Sequence, residues 1–165
     1  MKPFTTVESP AAVLLQDNID TDVIVRIERI AKLQRGQFAP WAFEALRYRA
    51  DGSEEPGFVL NREPFRQARI LVAGANFGCG SSREMAVWAI QEFGIDCIIA
   101  PGYGDIFYGN CLQNGVLPVR LARSEVNALA EVAAGGAPLT VDLAACTVTS
   151  AATGPIPFDI PATQR

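Results

Sequence analysis

The chain has 165 residues, 49% of them hydrophobic and 19% charged, which suits one domain with a sizeable core over residues 1–165 and excludes a disordered chain. A net charge of −4 argues against nucleic acid as a partner, and no apolar run reaches the ~18 residues of a membrane span. There are no histidines, so the commonest general base and metal ligand is missing, and the four cysteines form no C-x-x-C pair.

Met1 to Thr6 shows no signal-type apolar stretch, and a cytoplasmic location is the expectation. Ala11 to Leu15 reads as a first strand. Asp17-Asn18-Ile19-Asp20-Thr21-Asp22 is turn chemistry with three carboxylates; it lacks the glycine and distal glutamate of a calcium loop. Glu28 to Tyr48 reads as an amphipathic helix, interrupted near Gly36 and by Pro40. Arg49 to Gly57 reads as a mobile loop and Phe58–Leu60 as a short strand.

A parallel βαβαβ core follows. Ile70–Ala73, Cys97–Ala100 and Leu117–Arg120 are buried strands, and helices over Ser82–Phe93 and Asp105–Asn114 cross between them. Their carboxyl ends open on one edge of the sheet, the usual place for a ligand. Ser124 is expected to cap a helix ending at Gly135-Gly136, and Leu139–Asp142, Cys146–Ser150 and Ile156–Asp159 to close the fold as mostly antiparallel strands. Pro161 to Arg165 reads as a frayed tail.

The stretch with most chemistry is Ala73-Gly74-Ala75-Asn76-Phe77-Gly78-Cys79-Gly80-Ser81-Ser82-Arg83-Glu84. It joins a buried strand to a helix beginning at Ser81 or Ser82, whose free N–H groups and positive dipole end would face an anion. The spacing is neither the dinucleotide fingerprint, since Arg83 takes the third glycine position, nor a phosphate-binding Walker loop. Ser81-Ser82-Arg83-Glu84 also has the spacing of a capping box, with Ser81 as N-cap, which explains the serines without any ligand. It leaves Gly74, Gly78, Gly80 and Arg83 unexplained. A cation in a helix's first turn opposes the dipole, so Arg83 is expected to answer a carboxylate.

The run Asn76 to Glu84 resembles the signature of the swivelling domain of the aconitase superfamily. The likeness continues in Ile99-Ala100-Pro101, Asp105 to Cys111, Asn114 to Val119 and Asp17 to Asp22. Within the superfamily the chain is most similar to the small subunits of 3-isopropylmalate dehydratase (isopropylmalate isomerase). Met85 stands where that family has histidine, Val87 and Val25 where prolines are common, and Gly102-Tyr103-Gly104 where Ser-Phe-Ala is usual. The resemblance implies a swivelling β/β/α domain, a mixed sheet with a parallel βαβαβ core flanked by helices.

It also implies a hydro-lyase that removes and re-adds water on a small hydroxy-dicarboxylate, in leucine biosynthesis. Such an enzyme works as a heterodimer or heterotetramer whose large subunit carries a 4Fe–4S cluster; this chain would hold no metal. Carried over residue by residue, Ser81 is the catalytic base, and Gly80, Ser82, Arg83, Asp20 and Thr21 bind substrate. The Asp17–Asp22 loop would line one cleft wall, and the region around Arg49–Gly57 would approach the substrate's tail. The departures keep open a relative acting on citraconate- or dimethylmaleate-type dicarboxylates; loss of histidine keeps open a non-catalytic anion-binding domain.

Overall fold

The computed structural model describes residues 5–81 and 83–161. Its strands fall into two four-stranded sheets. The first is antiparallel: β1 (Thr6–Ser9) pairs with β6 (Leu139–Asp142), β6 with β7 (Thr147–Thr149) and β7 with β8 (Ile156–Pro157). The second is wholly parallel, in the order β2 (Ala11–Leu14), β3 (Ile70–Ala73), β4 (Cys97–Ala100), β5 (Leu117–Arg120). The chain passes from one sheet to the other between Ser9 and Ala11. Pro10, which has no N–H to give a ladder, occupies that junction.

Burial follows from this layering. β3 and β4 are buried at every residue, as central parallel strands covered on both faces must be. Side-chain alternation sends Ile70 and Val72 into one core and Leu71 and Ala73 into another. The first core lies between the parallel sheet, α6 (Arg123–Ala134) and the antiparallel sheet. The second lies under α4 (Glu84–Phe93), α5 (Asp105–Asn114) and the 19–65 segment. β6 alternates buried and half-buried residues, as a sheet with one solvated face does.

Several local expectations are corrected. The breaks expected near Gly36 and at Pro40 in Glu28–Tyr48 are present, but the pieces between them are shorter than amphipathic helices. The segment holds part of α2 (Ile27–Ile30), a 3-10 turn at Ala39–Trp41 and α3 (Glu44–Arg47), after the short α1 (Thr21–Ile24). Gly36 and Phe43 take left-handed angles, φ 99° and 55°, which no α-helix passes through. Phe43 is fully buried, its ring 6.5 Å from Phe77, so tertiary packing overrides the helical period there.

Phe58–Leu60 is not a strand. Val59–Asn61 forms a 3-10 turn held by Asn61 N–H donating to the Phe58 carbonyl, and among the described residues no strand pairs with it. The Arg49–Gly57 loop is tied by a Tyr48–Glu54 bridge and by Arg49–Glu55 and Arg66–Glu54 ion pairs. Ser124 does not cap α6. It lies inside the first turn, and Glu125 accepts from the backbone N–H of Ala122 instead. The expectation for the tail falls largely on 162–165, outside the described residues.

Candidate active site

The glycine loop leaves the carboxyl end of β3 and runs against the Asp17–Asp22 segment, which leaves the neighbouring β2. The two segments are joined rung by rung. Ala75 N–H donates to the Asp17 carboxylate (2.8 Å), and Asn18 N–H to the Ala75 carbonyl (2.9 Å). Gly78 N–H donates to Ile19 O (2.8 Å), and Thr21 N–H to Cys79 O (3.0 Å). The Thr21 hydroxyl then donates to the Ser81 carbonyl (2.9 Å), and Arg83 pairs with Asp22. The Ala75 N–H and the Arg123 guanidinium hold the Asp17 carboxyl below its ordinary pKa.

On its other side the loop meets the start of α5. Phe77 N–H donates to Gly102 O (3.0 Å) and Gly104 N–H to Phe77 O (2.9 Å). Gly78, at φ 77°, lies so close to Phe107 that a Cβ there would stand 2.2 Å from the ring. A Cβ on Gly74 would be 2.5 Å from the Gln16 carbonyl. Packing alone therefore requires both glycines, Gly74 against the backbone of the neighbouring segment and Gly78 against the Phe107 ring. Tyr103, in the place of a more usual phenylalanine, is buried with its hydroxyl 2.7 Å from Val119 O and 2.9 Å from Ile98 O. It clips β4 to β5.

A cavity of about 230 Å³ opens between these segments, lined by Thr21, Gly78, Cys79, Gly80, Ser81 and Arg83 on one side and Gly104 to Phe107 on the other. Gly80, Thr21, Ser81 and Arg83 therefore border one cavity. Ser82 lies outside the described residues. Asp20 neighbours the cavity, but its carboxylate accepts from Val23 N–H (3.0 Å) and so caps α1.

The capping-box reading of Ser81 is overturned. α4 begins at Glu84; Arg83 is its N-cap, with extended backbone (φ −125°, ψ 109°) and no side-chain cap bond. Ser81 stands outside the helix, exposed, its carbonyl engaged by Thr21. The carboxylate that Arg83 answers in this structure is Asp22, a pairing that the 61-residue separation hid from sequence reasoning. The α5 side of the cavity, Asp105 and Ile106, was missed too. Its signal was the strand–Gly–helix pattern after β4, which repeats the pattern after β3.

Among the described residues, no ligand set fits an iron–sulfur cluster. Cys97 and Cys111 are buried, and burial pushes both thiols far above their ordinary pKa, away from the thiolate a metal needs. Among the described residues, no three Cys, Asp or Glu side chains gather as a metal site. No described helix is long and apolar enough to cross a membrane. Met85, in place of histidine, is half-buried and packs against the α4 side of the core.

Fold and site together define an open-edged α/β domain whose loop at the carboxyl ends of two parallel strands presents a serine and an arginine to a small cavity. The aconitase C-terminal domain family matches residues 1–124, and a second family, described as LeuD_N, matches residues 128–162. The 3-isopropylmalate dehydratase small subunit of Nitrobacter winogradskyi is 46% identical, over 100% of this chain and 83% of that protein. That of Paramagnetospirillum magneticum is 47% identical, over 97% and 81% respectively. A crystal structure of 3-isopropylmalate dehydratase from Methanocaldococcus jannaschii superposes with a TM-score of 0.72 at 25% identity, covering 94% of this chain and 83% of that one. The chain belongs to the 3-isopropylmalate dehydratase small-subunit family.

Proposed function

We propose that this chain is the small subunit of a hydro-lyase that interconverts 2-isopropylmalate and 3-isopropylmalate in leucine biosynthesis, its 165 residues forming one swivelling domain. The carrying observation is the convergence of Ser81 and Arg83 on one cavity, in a chain that matches named small subunits over its whole length. In the forward direction a proton leaves the carbon next to a carboxylate, hydroxide leaves the neighbouring carbon, and a C=C bond forms. Rehydration with the two positions exchanged gives the isomer.

Ser81, as its alkoxide, takes the proton. An alkoxide is a strong base whose anionic form must be stabilised, and the Arg83 guanidinium and the N–H groups at the start of α5 border the same cavity. Arg83 holds a substrate carboxylate through its fork of N–H donors, a role that Ser82 shares. Gly80 lets the backbone approach the ligand, and Thr21 and Asp20 fix the loop that carries Ser81. The larger cleft of about 690 Å³ between α2 and α3, walled by Trp41, Tyr48 and Arg49, adjoins the region taken to approach the substrate's tail.

The large subunit would carry the 4Fe–4S cluster, which would supply Lewis-acid chemistry for the departing hydroxyl. The test is to purify this chain with the cluster-bearing large subunit from the same source and assay 3-isopropylmalate beside citraconate. Turnover of 3-isopropylmalate at the higher kcat/KM is the expected result. Preference for citraconate, or inactivity of a cluster-loaded complex towards both, would overturn the reading.

A further inference from the structure

We propose that Asp22 is a positioning residue for the reaction: it holds the Arg83 guanidinium in the orientation that receives the substrate carboxylate. This rests on the reading of Arg83 as the carboxylate clamp. Arg83 occupies the N-cap of α4, where the backbone is extended and no cap bond fixes the side chain. Left alone, such an arginine would sample many rotamers, and binding a carboxylate would have to order it. The structure shows what orders it beforehand. One terminal nitrogen, Nη1, donates to Asp22 Oδ1, and among the described residues no other acceptor engages the fork. The remaining N–H groups are left for a ligand in the cavity that Arg83 lines.

Stability does not account for the pair. Asp22 is 60% exposed, and ion pairs so exposed contribute little to folding. Arg83 by contrast is only 20% exposed, held against the loop. Asp22 is itself rigidly placed. It lies in the first turn of α1, which the Asp20 carboxylate caps, and its neighbour Thr21 donates both backbone N–H and hydroxyl to the glycine loop. The orientation of Arg83 is therefore referred to the same backbone ladder that places Ser81, so base and clamp keep a fixed relation. The pair uses one nitrogen only, so substrate adds to it and need not displace it.

The experiment is a double-mutant cycle in the assembled large–small complex, read as kcat and KM for 3-isopropylmalate. Asp22→Ala should raise KM about fivefold with kcat within about twofold, because the arginine must then be ordered by the substrate. Asp22→Asn keeps an acceptor oxygen at the same place and should recover most of the loss. In an Arg83→Ala background, Asp22→Ala should add nothing further. An unchanged KM for Asp22→Ala, an Asn variant as poor as Ala, or a full Asp22→Ala effect without Arg83 would each overturn the positioning role while leaving the clamp intact. An Arg83→Ala complex with wild-type KM would instead remove the clamp, and the positioning role with it.

Discussion

Ser81 engages the fold through its carbonyl, and its exposed hydroxyl makes no hydrogen bond among the described residues. Ser81→Ala should therefore change the stability of the isolated chain by less than about 0.5 kcal/mol, the usual range for surface sites, while abolishing turnover of the complex. Calorimetry on the chain beside an isopropylmalate assay checks both halves. A cap residue would have cost more, ~0.5–2 kcal/mol, so the same measurement tests where α4 begins. For Arg83→Ala, loss of the Asp22 pair (~0–1 kcal/mol) opposes removal of a cation from a helix start (~0.3–1 kcal/mol). The thermal midpoint should barely move while KM rises. The sequence singled out both residues because the motif is contiguous. It misplaced the helix start because Ser-Ser-Arg-Glu satisfies a capping box by spacing alone. What keeps the chain extended through Arg83 is a strap of residues some sixty positions earlier, bonded at Cys79, Ser81 and Arg83.

At the level of elements, β3, β4, β5 and α5 were legible to the residue, because continuous apolar runs between glycine and proline signals leave little choice. The 19–65 segment was not. Its helices run only four residues each, and Phe43 is set by the aromatic cluster with Phe58, Phe77 and Phe107 rather than by local propensity. The edge strand β1 also escaped notice, its four residues alternating exposed and buried. The glycine loop is where these elements meet, and its glycines are not equivalent. At Gly78 a Cβ would meet the Phe107 ring at 2.2 Å; at Gly80 the nearest atom is the Asp20 Cβ at 3.3 Å, although φ is positive at both. Gly80→Ala carries backbone strain of about 1 kcal/mol, whereas Gly78→Ala adds overpacking and should cost about 2–4 kcal/mol in all. Chemical denaturation of the two variants should separate them in that order. Equal costs would mean that Phe107 can move aside, and that α5 is not fixed by the loop.

For the whole molecule, the charge pattern decides how stability follows pH. Asp17 is held below its ordinary pKa by the Ala75 N–H and Arg123, Glu44 by Arg29, Glu54 by Arg66, Glu55 by Arg49, and Asp51 by Ser53. A carboxyl whose folded pKa is lowered is stabilising above its unfolded value, ~3.9 for Asp and ~4.3 for Glu, and that contribution is lost as pH falls through the folded value. Four of the five lie between Glu44 and Glu55, while Asp17 ties β2's exit to the glycine loop. Acid should therefore loosen the 44–66 segment and the 17–22 strap before the two sheets. Hydrogen exchange compared at about pH 3.5 and pH 7 should show early loss of protection there, with the β3 and β4 amides last to go. The chain has no histidine, so between about pH 5.5 and 7.5 its thermal midpoint should be flat. The same absence reaches function: an ionisation near neutrality in the pH–rate profile of the complex would have to belong to the large subunit or the substrate. Replacing large-subunit histidines one at a time should move that limb, whereas Asp22→Asn should leave its midpoint in place. A neutral limb that survives all of those replacements, in a substrate with no ionisation of its own in that range, would overturn the assignment.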